Sequence, residues 1–165
     1  MIEVQSLSRF YGSRCAVDGV SFSISANEVV GFLGLNGAGK TSTLKVLGGL
    51  LLPSDGEVTV DGVDMSTNPI DVRSRIGFLP EDPPLYTEMT VTEFLRFVAG
   101  LRGMSSAEIE SRLPDVLEKT HLTDVAMRVI DELSHGYRKR VGIAQAIIHG
   151  KKPVSYTHLT LPTNA

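Results

Sequence analysis

The chain has 165 residues, of which 42% are apolar and 21% are charged, and its formal net charge is −3 with a pI of about 5.8. This composition is ordinary for one soluble globular domain, and the charge gives no indication of nucleic-acid binding. The single cysteine, Cys15, excludes an internal disulfide. No apolar run is long enough to cross a bilayer, and the first residues lack the basic and apolar parts of a signal peptide, so we expect any membrane role to depend on a partner.

The first half of the chain predicts strands around one helix. IEVQSLSRFYG and CAVDGVSFSISANEV are rich in β-forming residues and predict strands with turns at Gly12-Ser13 and Ala26-Asn27. EVVGFLG, residues 28–34, is nearly all apolar and predicts a strand buried on both faces of a parallel sheet. KTSTLKVLGGLLLP has helical spacing and predicts a helix that ends at Pro53. SDGEVTVDGVDM predicts a hairpin with Asp-Gly turns.

The second half predicts one short strand and then helices. RSRIGFLPEDPPL predicts a strand that three prolines break into a loop. TVTEFLRFVAGLRG predicts a helix capped by Thr90 or Thr92, and SSAEIESRLPDVLEKTHL predicts further helix capped by Ser105 or Ser106. The buried face of the first of these helices is predicted to be Val91, Phe94, Leu95 and Val98. ELSHGYRKRVGIAQAIIHG predicts a loop and a last helix, whose buried stripe is Val141, Ala144, Ile147 and Ile148. The whole order predicts an α/β nucleotide-binding core with a helical insertion.

The stretch GLNGAGKT, from Gly34 to Thr41, contains the spacing G-x-x-x-x-G-K-[S/T] between an apolar run and a predicted helix. Phosphate oxygens need several backbone N–H groups that converge on one point, and glycines permit the positive φ and the close approach that this requires. The following helix directs its positive end at the anion, Lys40 adds a full charge, and the Thr41 hydroxyl can ligate Mg²⁺. The alternative is a glycine-rich turn that carries a lysine by chance.

Four segments together resemble the ATP-binding subunit of an ABC transporter, and the resemblance covers residues 2–152. RFYGSRCAVDGVSF is similar to the adenine-stacking region of that family, and GLNGAGKTSTLKVLGGLLLPSDGEVTVDG to its P-loop and hairpin. RIGFLPEDPPLYTEMTVTEFL resembles its Q-loop and the start of its helical subdomain. LSHGYRKRVGIAQAI resembles its LSGGQ signature and departs from it at His135 and Tyr137, as in bacterial ABC-2-type exporters.

The resemblance implies a nucleotide site. Tyr11 would stack on adenine with Val17 beside it, although Tyr11 could also be a strand aromatic packed on the core. Leu35 stands where the family more often has proline, and we expect little effect. Lys40 is the implied catalytic residue of the loop. The implied nucleotide-binding residues are Tyr11, Val17, Gly34, Leu35, Asn36, Gly37, Ala38, Gly39, Lys40, Thr41 and Ser42.

Two further sites depend on the same resemblance. Glu81 stands where the family has the Q-loop glutamine; it is predicted to act in catalysis and to ligate Mg²⁺ with Thr41, or else to be an ordinary loop carboxylate. The signature is predicted to contact ATP held by the other subunit of a dimer, through Leu133, Ser134, His135, Gly136 and Tyr137. Ser134 could equally be a plain helix cap. The basic run 138–140 is interpreted as a solvated face or a subunit contact rather than a nucleic-acid site.

The implied fold is an incomplete ABC ATPase: a P-loop core with a mostly parallel sheet, an N-terminal antiparallel β subdomain and an inserted helical subdomain. The predicted boundaries are 1–88 for the core, 89–133 for the helical subdomain, 134–152 for the signature and its helix, and 153–165 for a tail. PVSYTHLTLPTNA, residues 153–165, resembles non-native sequence at a truncated end, because the family has here a strand ending in Asp-Glu and, later, a switch histidine; His158 lacks that context. The alternative is a divergent but genuine short protein, in which the alternating residues 154–159 pair as a strand.

The resemblance implies ATP and Mg²⁺ as cofactors, a homodimer or heterodimer of ATPase subunits, and a membrane-spanning permease partner. Through that permease the subunit would be peripheral on the cytoplasmic face of the plasma membrane. We expect export and no nucleic-acid partner. Because no Asp or Glu follows Glu132, the chain is predicted to be deficient in hydrolysis. The alternatives are a non-catalytic nucleotide-binding fragment, a soluble ABC-type ATPase that acts on ribosomes or DNA, and a small-molecule P-loop kinase, which would need an arginine-rich lid.

Overall fold

In the computed structural model, which describes residues 1–150 and the backbone of 152–155, the chain divides into two units, Met1–Ile76 and Gly77–Ala165. The predictions for residues 156–165, including His158, lie outside the described residues.

The first unit is built on a four-stranded antiparallel sheet. Its strands are β1 (Ile2–Tyr11), β2 (Arg14–Ile24), β3 (Asp55–Val60) and β4 (Val63–Asp64), in the order β2-β1-β3-β4. The turn predicted at Gly12-Ser13 joins β1 to β2. The β3–β4 turn is Asp61-Gly62, and both residues have positive φ, 47° and 78°. Two positive φ values are what a two-residue hairpin with the twist of its strands requires, which is why Asp-Gly predicted it.

A helix follows the glycine loop but is shorter than predicted. α1 spans Lys40–Leu47 and ends at Gly48, so the predicted end at Pro53 is wrong. Gly49 adopts a left-handed φ of 70°, and the amides of Leu50 and Leu51 turn back to the Lys45 carbonyl oxygen at 2.9 and 3.2 Å. Glycine after the last helical turn is a common helix stop because it adopts this conformation without strain.

The buried parallel strand predicted at residues 28–34 is not formed. The segment has no hydrogen-bonded partner strand among the described residues, and Val29 and Leu33 are 99% and 87% exposed. Phe32 lies against Phe22 of β2, with ring centroids 5.9 Å apart. A strand buried on both faces needs neighbours on both sides as well as apolar residues, and the described strands of this unit pair with one another instead.

The chain then forms a helix that the pattern did not predict and a short strand that it did. α2 spans Pro69–Arg75, and its proline at the start has the fixed φ that suits a first helical turn. β5 (Ile76–Leu79) follows directly and ends before the first proline of the predicted break. It is hydrogen-bonded to β6 (Lys152–Ser155) in a two-stranded sheet.

The second unit packs three helices around one apolar core: α3 (Val91–Leu101), α4 (Ser106–Lys119) and α5 (His135–Ile147). Thr90 and Ser105 are the caps, each within a complete capping box. The predicted buried face of α3 is confirmed, and so is the stripe of α5 except that Ile147 is only partly buried. The core includes Phe94, Leu95, Leu113, Val116, Val141, Ala144 and Ile148.

Candidate nucleotide-binding site

The glycine loop before α1 is a closed turn. The Ala38 amide donates to the Leu35 carbonyl oxygen at 3.2 Å. Gly37 and Gly39 have φ of 86° and 84°, the left-handed region that favours glycine. A Cβ on Gly39 would collide with the Ala16 carbonyl oxygen and lie 3.0 Å from the Val17 Cγ2, whereas a Cβ on Gly37 would meet no atom within 4 Å. Only glycine therefore fits between the loop and β2 at position 39.

The start of α1 offers donors for an anion. α1 begins at Lys40, and the backbone N–H groups in the first turn of any helix point toward an anion placed at the helix start. The Lys40 ammonium folds back over the loop and donates to the carbonyl oxygens of Gly34 and Leu35 at 2.6 and 2.7 Å. An ammonium has three donors, so the third remains for a ligand. The amides and the ammonium are donors of the kind that bind phosphate, and they lie on an exposed loop.

Tyr11 lies beside this helix. Its hydroxyl is 3.3 Å from the Ser42 Oγ on α1, and its side chain is 44% exposed. The Ser42 hydrogen bond holds the pKa of the phenol below its ordinary value, and the nearby charges of Arg9 and Lys45 act in the same direction. Tyr11 is thus an exposed aromatic beside the start of α1 and not a side chain packed in the core. Val17 is buried, and its side chain lies close to Gly39 of the glycine loop.

The loop suits Mg²⁺ in part. Thr41 lies at the second position of α1 and contributes a hydroxyl oxygen, a ligand type that Mg²⁺ accepts. Among the residues that the structure describes, no three His, Cys, Asp or Glu side chains form a metal-binding cluster. Mg²⁺ is commonly held by one or two protein oxygens, by phosphate oxygens and by water, so Thr41 fits such a site. Glu81 belongs to the second unit, where it is exposed at a bend after β5.

The predicted signature residues stand together where α5 begins. Ser134 is the N-cap, and its Oγ accepts from the Tyr137 amide at 3.5 Å. Leu133 is buried in the helical core, His135 and Gly136 are exposed, and Tyr137 packs partly on the core. The cap role proposed as the plain alternative for Ser134 is therefore confirmed, and a cap is compatible with anion binding at the same helix start.

The basic run after the signature makes internal contacts. Arg138 donates to the carbonyl oxygens of Leu133 at 3.1 Å and Asp131 at 2.6 Å. The Arg140 guanidinium lies 5.1 Å from the ring centroid of Tyr137. The Arg138 contacts fix the loop that leads into α5, and Arg140 packs on a ring of the same helix, so two of the three basic side chains have a structural role.

Comparison with known proteins assigns the family. The model of the ABC transporter family matches residues 17–154. The chain belongs to the ABC transporter ATP-binding family. It is 40% identical over 152 residues to an uncharacterized ABC transporter ATP-binding protein, YxlF, of Bacillus subtilis, and covers 50% of that protein. It is 42% identical over 135 residues to the ABC transporter ATP-binding protein NatA of the same organism, and covers 55% of it. The alignments include 92% and 81% of this chain.

Solved structures of the family have the same fold. The structure of an ATP-binding subunit of an ABC transporter superposes with a TM-score of 0.82 at 34% identity, over 91% of this chain and 62% of that one. The dimeric structure of MJ0796, a bacterial ABC transporter cassette, superposes with a TM-score of 0.83 at 25% identity, over 94% and 73%. The predicted α/β fold of an incomplete ABC ATPase is confirmed. The chain spans about half the length of the curated relatives it matches.

The sequence missed two features of the site. Arg9 was not among the predicted residues, yet it lies over Tyr11, at 5.0 Å from its ring centroid. The link between Tyr11 and Ser42 joins residues 31 positions apart, and no local pattern predicts such a contact. The position of Arg9 two residues before an aromatic on the same strand was the available signal, since side chains at i and i+2 share one face.

Within residues 1–150 and 152–155, we find no helix whose length and apolar character would let it span a membrane.

Proposed function

We propose that the chain binds Mg-ATP, with the phosphates on the loop from Gly34 to Thr41 and the base on Tyr11. The observation that carries the proposal is the closed turn in which Gly37 and Gly39 are left-handed and the Lys40 ammonium lies over the loop carbonyls. The loop amides and α1 would hold the β- and γ-phosphates without rearranging the helix. Thr41 would hold Mg²⁺, which when bound neutralises charge on the phosphates.

The test is calorimetric titration of the full chain with ATP and Mg²⁺. Lys40→Met removes the ammonium at the phosphates, and Lys45→Met is the matched control, because Lys45 is exposed in the last turn of the same helix. Hydrogen bonds to charged groups contribute about 1.5–3 kcal/mol, so Lys40→Met should weaken ATP about 10-fold to 150-fold. Lys45→Met should stay within about twofold of the wild type. Equal affinities for the two variants would contradict the proposal.

For the whole protein we propose a head-to-tail dimer, in which the loop of one copy faces Ser134 and Gly136 of the other. The dimeric form of the MJ0796 cassette supports this arrangement. Gly136 is exposed, and a Cβ there would meet only the Ser134 Oγ, at 4.0 Å, so the helix start is open to a ligand. Light scattering tests the dimer: ATP should raise the mass of the wild type from monomer to dimer, and Gly136→Asp should stay monomeric by charge repulsion with the phosphates. If the wild type and Gly136→Asp both have the mass of a monomer with and without ATP, the proposed dimer is contradicted.

We further propose that the protein hydrolyses ATP when complete, sits on the cytoplasmic face of the plasma membrane, and drives export through a membrane-spanning permease. Relatives named as export ATP-binding proteins support the direction, among them SkfE of Bacillus subtilis at 34% identity. The proposed contact is the loop 81–86, where Tyr86 is half exposed and lies against Phe97 with ring centroids 5.3 Å apart. Tyr86→Ala should reduce recovery of the subunit with membranes that contain its permease while leaving ATP affinity unchanged.

A further inference from the structure

Arg9 is a cation fixed over one face of Tyr11. Both residues lie on β1, and the Arg9 Cζ is 5.0 Å from the centroid of the Tyr11 ring. This distance is within the range of about 6 Å over which a cation is attracted to an aromatic face. The attraction depends on the ring electrons and not on a counter-charge, so it persists where no carboxylate is present.

The guanidinium is held in place by the segment that follows α1. Its Nη1 donates to the Leu52 carbonyl oxygen at 3.1 Å and to the Ser54 Oγ at 3.3 Å. The Ser54 Oγ also accepts a hydrogen bond from the Phe10 amide at 3.1 Å, and this bond holds Ser54 against β1. The Arg9 Nε is buried and has no hydrogen-bond partner in the described part of the chain. The electron-rich face of the Tyr11 ring is therefore the remaining group that attracts the guanidinium. A long side chain anchored in this way keeps one geometry.

The ring is also fixed at its other end. The Tyr11 hydroxyl is 3.3 Å from the Ser42 Oγ, and Ser42 lies in the first turn of the helix that bears Lys40. The two contacts together determine both the plane of the ring and its position relative to the phosphate loop. Arg9 occupies one ring face, so a planar ligand can stack only on the other.

We propose that Arg9 is a positioning residue for base recognition, which fixes Tyr11 so that a purine stacks on the open face of its ring. The inference rests on the proposed binding of ATP and assigns the selectivity for the base to a residue outside the phosphate loop. Arg9 acts through Tyr11 and touches neither the base nor the phosphates. Loss of Arg9 should therefore weaken the binding of nucleotides and leave the binding of inorganic triphosphate unchanged.

The experiment compares ATP with inorganic triphosphate, each with Mg²⁺, by calorimetry on the full chain. Arg9→Met removes the cation and retains most of the side-chain length, and Arg9→Lys retains a cation. Arg75→Met is the matched control, since it removes a guanidinium that pairs with Asp71 on α2 of the same unit. A cation on an exposed ring contributes about 0.5–1 kcal/mol, and the lost anchoring adds to this, so Arg9→Met should weaken ATP about threefold to tenfold. The affinity of Arg9→Met for triphosphate should stay within about twofold of the wild-type value. Arg9→Lys should recover most of the ATP affinity.

A double-mutant cycle separates positioning from a general structural effect. In a Tyr11→Ala background, Arg9→Met should no longer change ATP affinity, because the ring through which Arg9 acts is absent. An equal loss in both backgrounds, or a parallel loss of ATP and triphosphate affinity, would overturn the inference. If the wild type binds triphosphate as tightly as ATP, base recognition fails while the phosphate site stands. If the wild type binds neither, the proposed function itself fails and the inference with it.

Discussion

Replacing Gly39 by alanine tests why the glycine loop before α1 needs glycine at that position. Gly39 has a φ of 84°, and an L-residue in the left-handed region costs about 1–2 kcal/mol. An added Cβ would also collide with the Ala16 carbonyl oxygen, and overpacking of this kind costs about 1–3 kcal/mol. Gly37→Ala is a matched control, because Gly37 has a φ of 86° but open space around its Cβ position. Gly37→Ala should therefore have the cost of the left-handed backbone conformation without the cost of a steric clash.

The exposed loop can relieve such strain by leaving the closed turn, and the apparent affinity for an anion then falls with the fraction of molecules that remain binding-competent. Because 1.4 kcal/mol is tenfold in affinity, Gly37→Ala should weaken inorganic triphosphate up to about 30-fold, and Gly39→Ala at least about fivefold more than that. Gly62→Ala, with a φ of 78° in the β3–β4 hairpin and no neighbour within 4 Å, should leave affinity unchanged. Calorimetry with triphosphate measures all three. Equal affinities for the Gly37 and Gly39 variants would refute the close contact between the loop and β2.

Three further predictions concern the helical unit and turnover. Phe94→Ala should lower the free energy of unfolding by about 3–5 kcal/mol in urea titration, because the ring is fully buried in the helical core, and a cost under about 1 kcal/mol would contradict that packing. Hydrogen bonds from the backbone and hydroxyl of Thr90 lower the pKa of Glu93, so the charged carboxylate stabilises the fold above the ordinary glutamate pKa, and this contribution is lost as pH falls through the lowered value. Glu93→Gln should therefore be less stable than the wild type at neutral pH and equal to it in acid; a difference independent of pH would be inconsistent with the capping box. No carboxylate follows Glu132 in this chain, so purified residues 1–165 should release phosphate about 100-fold or more below ordinary enzyme rates, and turnover near 1 s⁻¹ would refute this.

Features set by neighbouring residues were predictable from the sequence. Thr90 caps α3 because its hydroxyl and Glu93 three residues later satisfy amides within one turn, and the sequence shows both. The Asp61-Gly62 hairpin is likewise local, since two left-handed residues are enough to reverse the chain. The left-handed glycines before α1 were predictable for the same reason, because the spacing G-x-x-x-x-G-K-[S/T] places glycine where the turn needs a positive φ.

Features that depend on distant residues were not predictable in the same way. The apolar run 28–34 has the composition of a buried strand, but burial requires partner strands, and composition does not say whether they are present. α2 has no apolar period over its seven residues, so its helical start at Pro69 was missed. The contact of Tyr11 with Ser42 arises only when β1 and α1 are brought together, and Arg9 is anchored by Leu52 and Ser54, which are 43 and 45 positions away.

We propose that the main-chain amides between Gly37 and Ser42 bind the phosphates of a nucleotide. Backbone ¹H–¹⁵N spectra of the full chain, recorded during titration with ATP and Mg²⁺, measure those amides one by one. If these amides bind phosphate, their resonances should shift together and their hydrogen exchange should slow, with smaller changes along the rest of β1 and α1. Saturable ATP binding with no change at these amides would contradict it.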